Sequence, residues 1–104
     1  MEPQFIHEDS RRKITQLFTA DIKQVNLYEC KPNVELGNHY HKETVEYFFV
    51  LDGEIESNGK TMVPGDLFVY HPQQMHKIVT KTDCRFMTFL TKAFNQESPD
   101  LWKS

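Results

Sequence analysis

Cysteine, glycine and tryptophan are scarce in this 104-residue chain: two, four and one, respectively. Cys30 and Cys84 stand alone, without CxxC spacing. Two isolated thiols argue against a disulfide framework and for free cysteines of an intracellular protein. Long apolar runs are missing too. The longest, Tyr47 to Leu51, falls far short of the roughly 20 residues that span a bilayer. Met1-Glu2-Pro3-Gln4 has neither the basic nor the apolar region of a secretory signal. The expectation is a cytoplasmic protein with no membrane partner. Basic charge is also in deficit, with 12 Lys and Arg against 15 Asp and Glu, a net charge of -3 and a pI of about 5.9. The one basic run, Arg11-Arg12-Lys13, lies beside Glu8 and Asp9, so no nucleic-acid partner is expected.

The chain has the usual length of one domain, and no repeat, linker or low-complexity segment divides it. Its hydrophobic fraction of 38% is modest. Such a fraction suits a partner subunit that buries one face. The face carrying Tyr47, Phe49 and Leu51 is the candidate surface.

What is present is β pattern. Val25, Leu27 and Glu29 alternate with Asn26, Tyr28 and Cys30. Val45 to Leu51 is rich in β-branched and aromatic residues. Asp52-Gly53, Asn58-Gly59 and Pro64-Gly65-Asp66 are turn signals, the second a two-residue hairpin turn needing positive φ at both positions. Roughly eight or nine short strands follow, which makes the chain all-β, a sandwich or barrel. The barrel core is expected over about residues 12–91. An irregular tail over 92–104 follows, in which Ser98-Pro99-Asp100 caps a final helical turn.

The chemistry sits in His39-X-His41-X4-Glu46 and in His76. Alternate strand residues share a face, so His39 and His41 project together. Four residues then allow a tight hairpin that returns Glu46 from the neighbouring strand. His76 is delivered by the segment after Pro64-Gly65-Asp66. Three imidazoles and one carboxylate are a fitting set for a single divalent ion, whether zinc, iron, manganese or nickel.

The same residues resemble the cupin family. Its first motif runs His-X-His, three or four residues, Glu, six residues, Gly, matching His39, His41, Glu46 and Gly53. Its second runs from Gly-Asp to a His ten residues on, matching Gly65-Asp66 and His76. The family's leading Gly is Asn33 here, its usual Asn after the last His is Thr80, and a frequent Pro is His71. More narrowly, the stretch from Val25 to His41 is similar to the cupin domain of capsule-sugar reductase/epimerases. Asp9-Ser10-Arg11 and the segment from Phe94 to Asp100 are similar to nucleotide-sugar epimerase and isomerase cupins. The resemblance implies a small antiparallel β-barrel or jelly roll, with His39, His41, Glu46 and His76 as metal ligands.

It also implies a small-molecule substrate, most naturally a keto sugar or nucleotide sugar undergoing epimerisation or isomerisation. The metal would act as a Lewis acid on a carbonyl. His71 and Tyr28 are candidate acid–base residues. Arg11 could grip a diphosphate through its fork, and Phe48, Tyr70 and Phe86 are candidate pocket walls. A metal-dependent dioxygenase, or a non-catalytic cupin binding a sugar or other small ligand, are the alternatives.

Overall fold

The computed structural model describes residues 5–95 and 99–103, and every regular element among them is a strand. β1 (Phe5–Glu8) and β2 (Lys13–Gln16) form a hairpin of their own. One four-stranded sheet runs β3 (Gln24–Cys30), β10 (Cys84–Leu90), β5 (Glu46–Asp52), β8 (Leu67–Tyr70). The second, five-stranded, runs β11 (Trp102–Lys103), β4 (Glu35–Tyr40), β9 (His76–Thr80), β6 (Ile55–Ser57), β7 (Lys60–Met62). Pairing is antiparallel throughout. The architecture is the all-β jelly-roll barrel that the pattern and the resemblance led to.

Strand parity builds the core. On β5, Glu46, Phe48 and Val50 are buried while Tyr47, Phe49 and Leu51 face outward. On β10, Cys84, Phe86, Thr88 and Leu90 point in; on β9, His76, Ile78 and Thr80 do. Phe48 stacks on Phe68 with centroids 4.8 Å apart, and Val50, Ile55 and Phe86 are fully buried beside them. Asn58 and Gly59 both have positive φ, 49° and 83°, as the hairpin turn between β6 and β7 demands. Gly53 is fixed by contact as well as by its φ of 80°. A Cβ there would lie 2.3 Å from the Asp83 carbonyl oxygen and 2.5 Å from the Cys84 Cβ.

Four expectations need correction. β4 and β5 do not form a hairpin: they belong to opposite sheets, and residues 42–45 cross between them. The tail is not wholly irregular, because Trp102 pairs with Tyr40 and Lys103 with His39 along the edge of β4. Pro99 and Asp100 are not helical, and Ser98 lies outside the described residues. Among the described residues the strands number eleven rather than eight or nine. The additions are the short, exposed β1 and β2 and the two-residue β11, none of which has an apolar alternation to read.

Candidate metal centre and its cavity

A β-bulge makes the site. β4 and β9 pair Gly37 with Lys77, then His39 with His76, so the register shifts by one residue between Gly37 and His39. Gly37 has φ 87°, the left-handed conformation that glycine adopts at the first position of a G1 bulge. Leu36 packs against the core. Uninterrupted alternation from Leu36 would turn His39 away from the interior; the extra residue restores it to the side of His76. Room is tight, since a Cβ on Gly37 would meet His39 Cε1, His76 Cδ2 and the His76 carbonyl oxygen, each at 3.2 Å.

His39, His41 and His76 each bring one ring nitrogen into a group whose members lie within 4.8 Å of one another. His76 Nε2 faces His39 Nε2 at 2.6 Å, so one of the two carries the shared proton. Glu46 stands beside this group. Its Oε1 is 3.1 Å from His41 Nε2 and 3.9 Å from His76 Nε2. His41 Nδ1 donates to the Asp100 carbonyl, which leaves Nε2 as the face directed inward. Tyr70 stacks on the His76 ring at 4.4 Å and holds its plane.

The electrostatics split the imidazoles. Burial, then His39 and His41, pushes His76 down to about 3, so it is neutral. Burial also opposes charge on His41, but Glu46 and the Asp100 carbonyl outweigh it and raise its pKa. The Asp100 carboxyl is held low by donors from residues 42–44 despite partial burial. Three inward imidazole nitrogens with a carboxylate beside them are a donor set that fits a divalent transition-metal ion. Tetrahedral ligation at about 2.0–2.1 Å puts nitrogens about 3.3 Å apart, within the spread of this group.

The cluster opens into a cavity of about 480 Å³. Phe48, Phe86 and Tyr28 line it. Tyr28 lies parallel to Phe86 at 4.8 Å, and burial, helped by Glu46, raises its pKa. A phenol of that kind keeps its proton at neutral pH and is a donor rather than a base. Three candidates fall elsewhere. His71 is exposed just past β8, its backbone N–H donating to Gln74 Oε1, because Phe68 and Tyr70 take the inward parity. Tyr70 is buried behind His76 and hydrogen-bonded to Ser57, so it braces the site without lining the cavity. Arg11 is exposed on the β1–β2 turn and bound to Asp9. Sequence reading missed Gln24 and Asn26 at the wall, Phe94 and Leu101 from the C-terminal segment, and Asp100. The similarity of the segment from Phe94 to Asp100 to sugar cupins was the one signal pointing there.

The barrel and the cluster of His39, His41, Glu46 and His76 resemble those of cupins. A family model described as the polysaccharide biosynthesis C-terminal domain matches residues 7–102, and the chain belongs to that family. No curated protein matches it. Among solved structures it is similar to the capsular polysaccharide assembling protein CapF of Staphylococcus aureus (22% identity, TM-score 0.69). That match covers 99% of this chain and 32% of the other, so this chain spans about a third of that relative. It is also similar to QdtA, a sugar 3,4-ketoisomerase from Thermoanaerobacterium thermosaccharolyticum solved with TDP (14%, TM-score 0.72, covering 98% and 85% of the two chains). A third is the RmlC epimerase of Mycobacterium tuberculosis (16%, TM-score 0.70, covering 91% and 64%). At such identities the likeness is one of fold.

Proposed function

We propose that this chain is a metal-dependent sugar-modifying cupin that epimerises or isomerises a keto sugar or nucleotide sugar. The carrying observation is the convergence of His39, His41 and His76, with Glu46 beside them, on one cavity of about 480 Å³. These four residues would hold the ion, Glu46 offsetting part of its charge. Bound there, a divalent metal supplies Lewis acidity toward a substrate carbonyl oxygen. Tyr28 keeps its proton at the cavity wall and donates a hydrogen bond to the substrate oxygen, sharing the charge that builds up there. The Gln24 and Asn26 amides, tied to each other at 3.1 Å, face sugar hydroxyls, and Phe48 and Phe86 pack against ring C–H groups. The relatives described as a sugar ketoisomerase and an epimerase support this choice of chemistry.

The same reading includes a homodimer. Val25 and Leu27 are 50% and 51% exposed on the outer side of β3, and Leu51 is exposed on the same side of β5, across β10. Phe18 covers Tyr47, stacked at 4.1 Å, so the free apolar surface lies toward Val25, Leu27 and Leu51 rather than at Tyr47 itself. The β1–β2 hairpin adds exposed Phe5, Ile6 and Ile14. A monomer by light scattering at micromolar concentration refutes the dimer.

The test of function is elemental mass spectrometry on untagged protein, beside His41→Ala and His76→Ala, followed by turnover of keto-sugar nucleotides. About one metal per chain, lost in both folded variants, with epimerised or isomerised product, is the expected result. No metal after incubation with divalent ions refutes the metal site. Iron-dependent oxygen uptake turns the reading to a dioxygenase, and ligand-induced stabilisation without turnover turns it to a binding protein.

A further inference from the structure

One carboxylate of the C-terminal segment caps the crossing that presents the candidate ligands. Asp100 Oδ1 accepts the Lys42 backbone N–H at 2.8 Å. Its Oδ2 accepts the backbone N–H groups of Glu43 and Thr44 and the Thr44 hydroxyl, each at 2.8 Å. Its carbonyl oxygen accepts the His41 Nδ1 proton. Trp102 Nε1 donates to Oδ1 at 3.1 Å and joins the clamp to β11. Residues 42–45 run between sheets, where no strand ladder satisfies their N–H groups. Asp100 does so for three consecutive residues of this crossing, between His41 and Glu46. Leu101, its neighbour, lines the cavity.

We propose that Asp100 is a positioning residue: it fixes the path from His41 to Glu46 and the ring orientation of His41, so that docking of the C-terminal segment and metal capture are coupled. The proposal rests on the metal reading above for its ligand, and on the hydrogen bonds alone for its geometry. An imidazole whose Nδ1–H is directed at a carbonyl keeps its tautomer and plane, and loss of such an outer partner typically weakens metal binding about 10–100-fold. Coupling between segment and ion is necessarily reciprocal.

The experiment is zinc titration calorimetry on the full chain with Asp100→Ala and Asp100→Asn, with hydrogen exchange read over residues 99–103. Asp100→Ala is expected to weaken zinc about tenfold or more. Asp100→Asn keeps one oxygen for the Glu43 and Thr44 donors but turns an NH₂ toward Lys42, and falls between. Zinc slows exchange over 99–103 in the parent protein. Ile55→Val, in a fully buried position on β6, lowers the melting temperature without changing zinc affinity. That separates positioning from general destabilisation. Zinc affinity of Asp100→Ala within about twofold of the parent overturns the proposal. A parent protein that binds no zinc refutes the metal reading, and the ¹⁵N shifts of His41 then decide this one. An Nδ1–H tautomer in the parent that is lost in Asp100→Ala supports it; the same tautomer in both overturns it.

Discussion

Gly37→Ala tests whether the bulge builds the site. Any L-residue held at φ 87° bears the left-handed penalty of about 1–2 kcal/mol. Gly59→Ala carries the same penalty at φ 83° but has open space around its Cβ, so it isolates the backbone cost. At Gly37 the new methyl meets three atoms at 3.2 Å, closer than ordinary contact. None yields easily: the His76 carbonyl is fixed in the β4–β9 pairing, and its ring is 97% buried against Tyr70 (side-chain exposure 3%). Overpacking of this kind adds about 1–3 kcal/mol. Gly37→Ala should therefore cost about 2–5 kcal/mol and Gly59→Ala about 1–2. Urea midpoints at constant m-value read the difference. Zinc calorimetry reads the consequence, a drop of about tenfold or more for Gly37→Ala and none for Gly59→Ala. The reasoning fails if the two variants are equally stable, or if Gly37→Ala binds zinc like the parent.

Thr80→Val keeps the shape of a fully buried side chain but removes a hydroxyl that donates to the Lys31 carbonyl at 2.6 Å and accepts the Val34 N–H at 2.8 Å. Orphaning those two groups should cost about 2–3 kcal/mol in chemical denaturation, and a loss below about 0.5 contradicts the assignment. With chelator present, stability should fall as pH drops from 6.5 toward 3. The His76 pKa is depressed from 6.5 to about 3, so across that window the unfolded chain binds a proton that the folded one does not. The raised pKa of His41 acts with the opposite sign, adding stability that is full below pH 6.5 and fades as pH rises through its folded value. Urea midpoints should thus decline on the acid side, and His76→Phe should lessen that decline; an unchanged acid limb in the variant shows that His76 is not its cause.

Much of the fold was legible because turn chemistry and strand parity are local. Asn58-Gly59 marks its hairpin by the φ values it alone tolerates, and Glu46-Tyr47-Phe48-Phe49-Val50 shows its buried face in its alternation. The elements that escaped lack local signal. The β4–β5 crossing reads as a hairpin because four residues suit either, and only the second sheet decides between them. His71 follows the strand that carries Tyr70, and its side depends on register set by Glu46 and Tyr47 across the sheet. Asp100 acts 56–58 residues from its partners, a separation no spacing rule spans.

The candidate ligand residues were legible for a different reason: their spacing is the trace of two backbone devices. His76 needs no device, since it shares the inward parity of Ile78 and Thr80. His39 faces His76 because Gly37 opens a bulge and resets the alternation begun at Leu36. His41 follows His39 by two residues and so takes the same side. Glu46 must then arrive from the opposite sheet, and the residues between are few enough for one carboxylate, Asp100, to hold three of them by their N–H groups. A longer crossing would leave N–H groups beyond the reach of that clamp; a shorter one would not reach β5 in phase with Phe48 and Val50. The motif is therefore less a signature of imidazole chemistry than of how a barrel turns two histidines and a glutamate to face a third histidine. A chain with the same four ligands but alanine at Gly37 would keep the motif and lose the geometry.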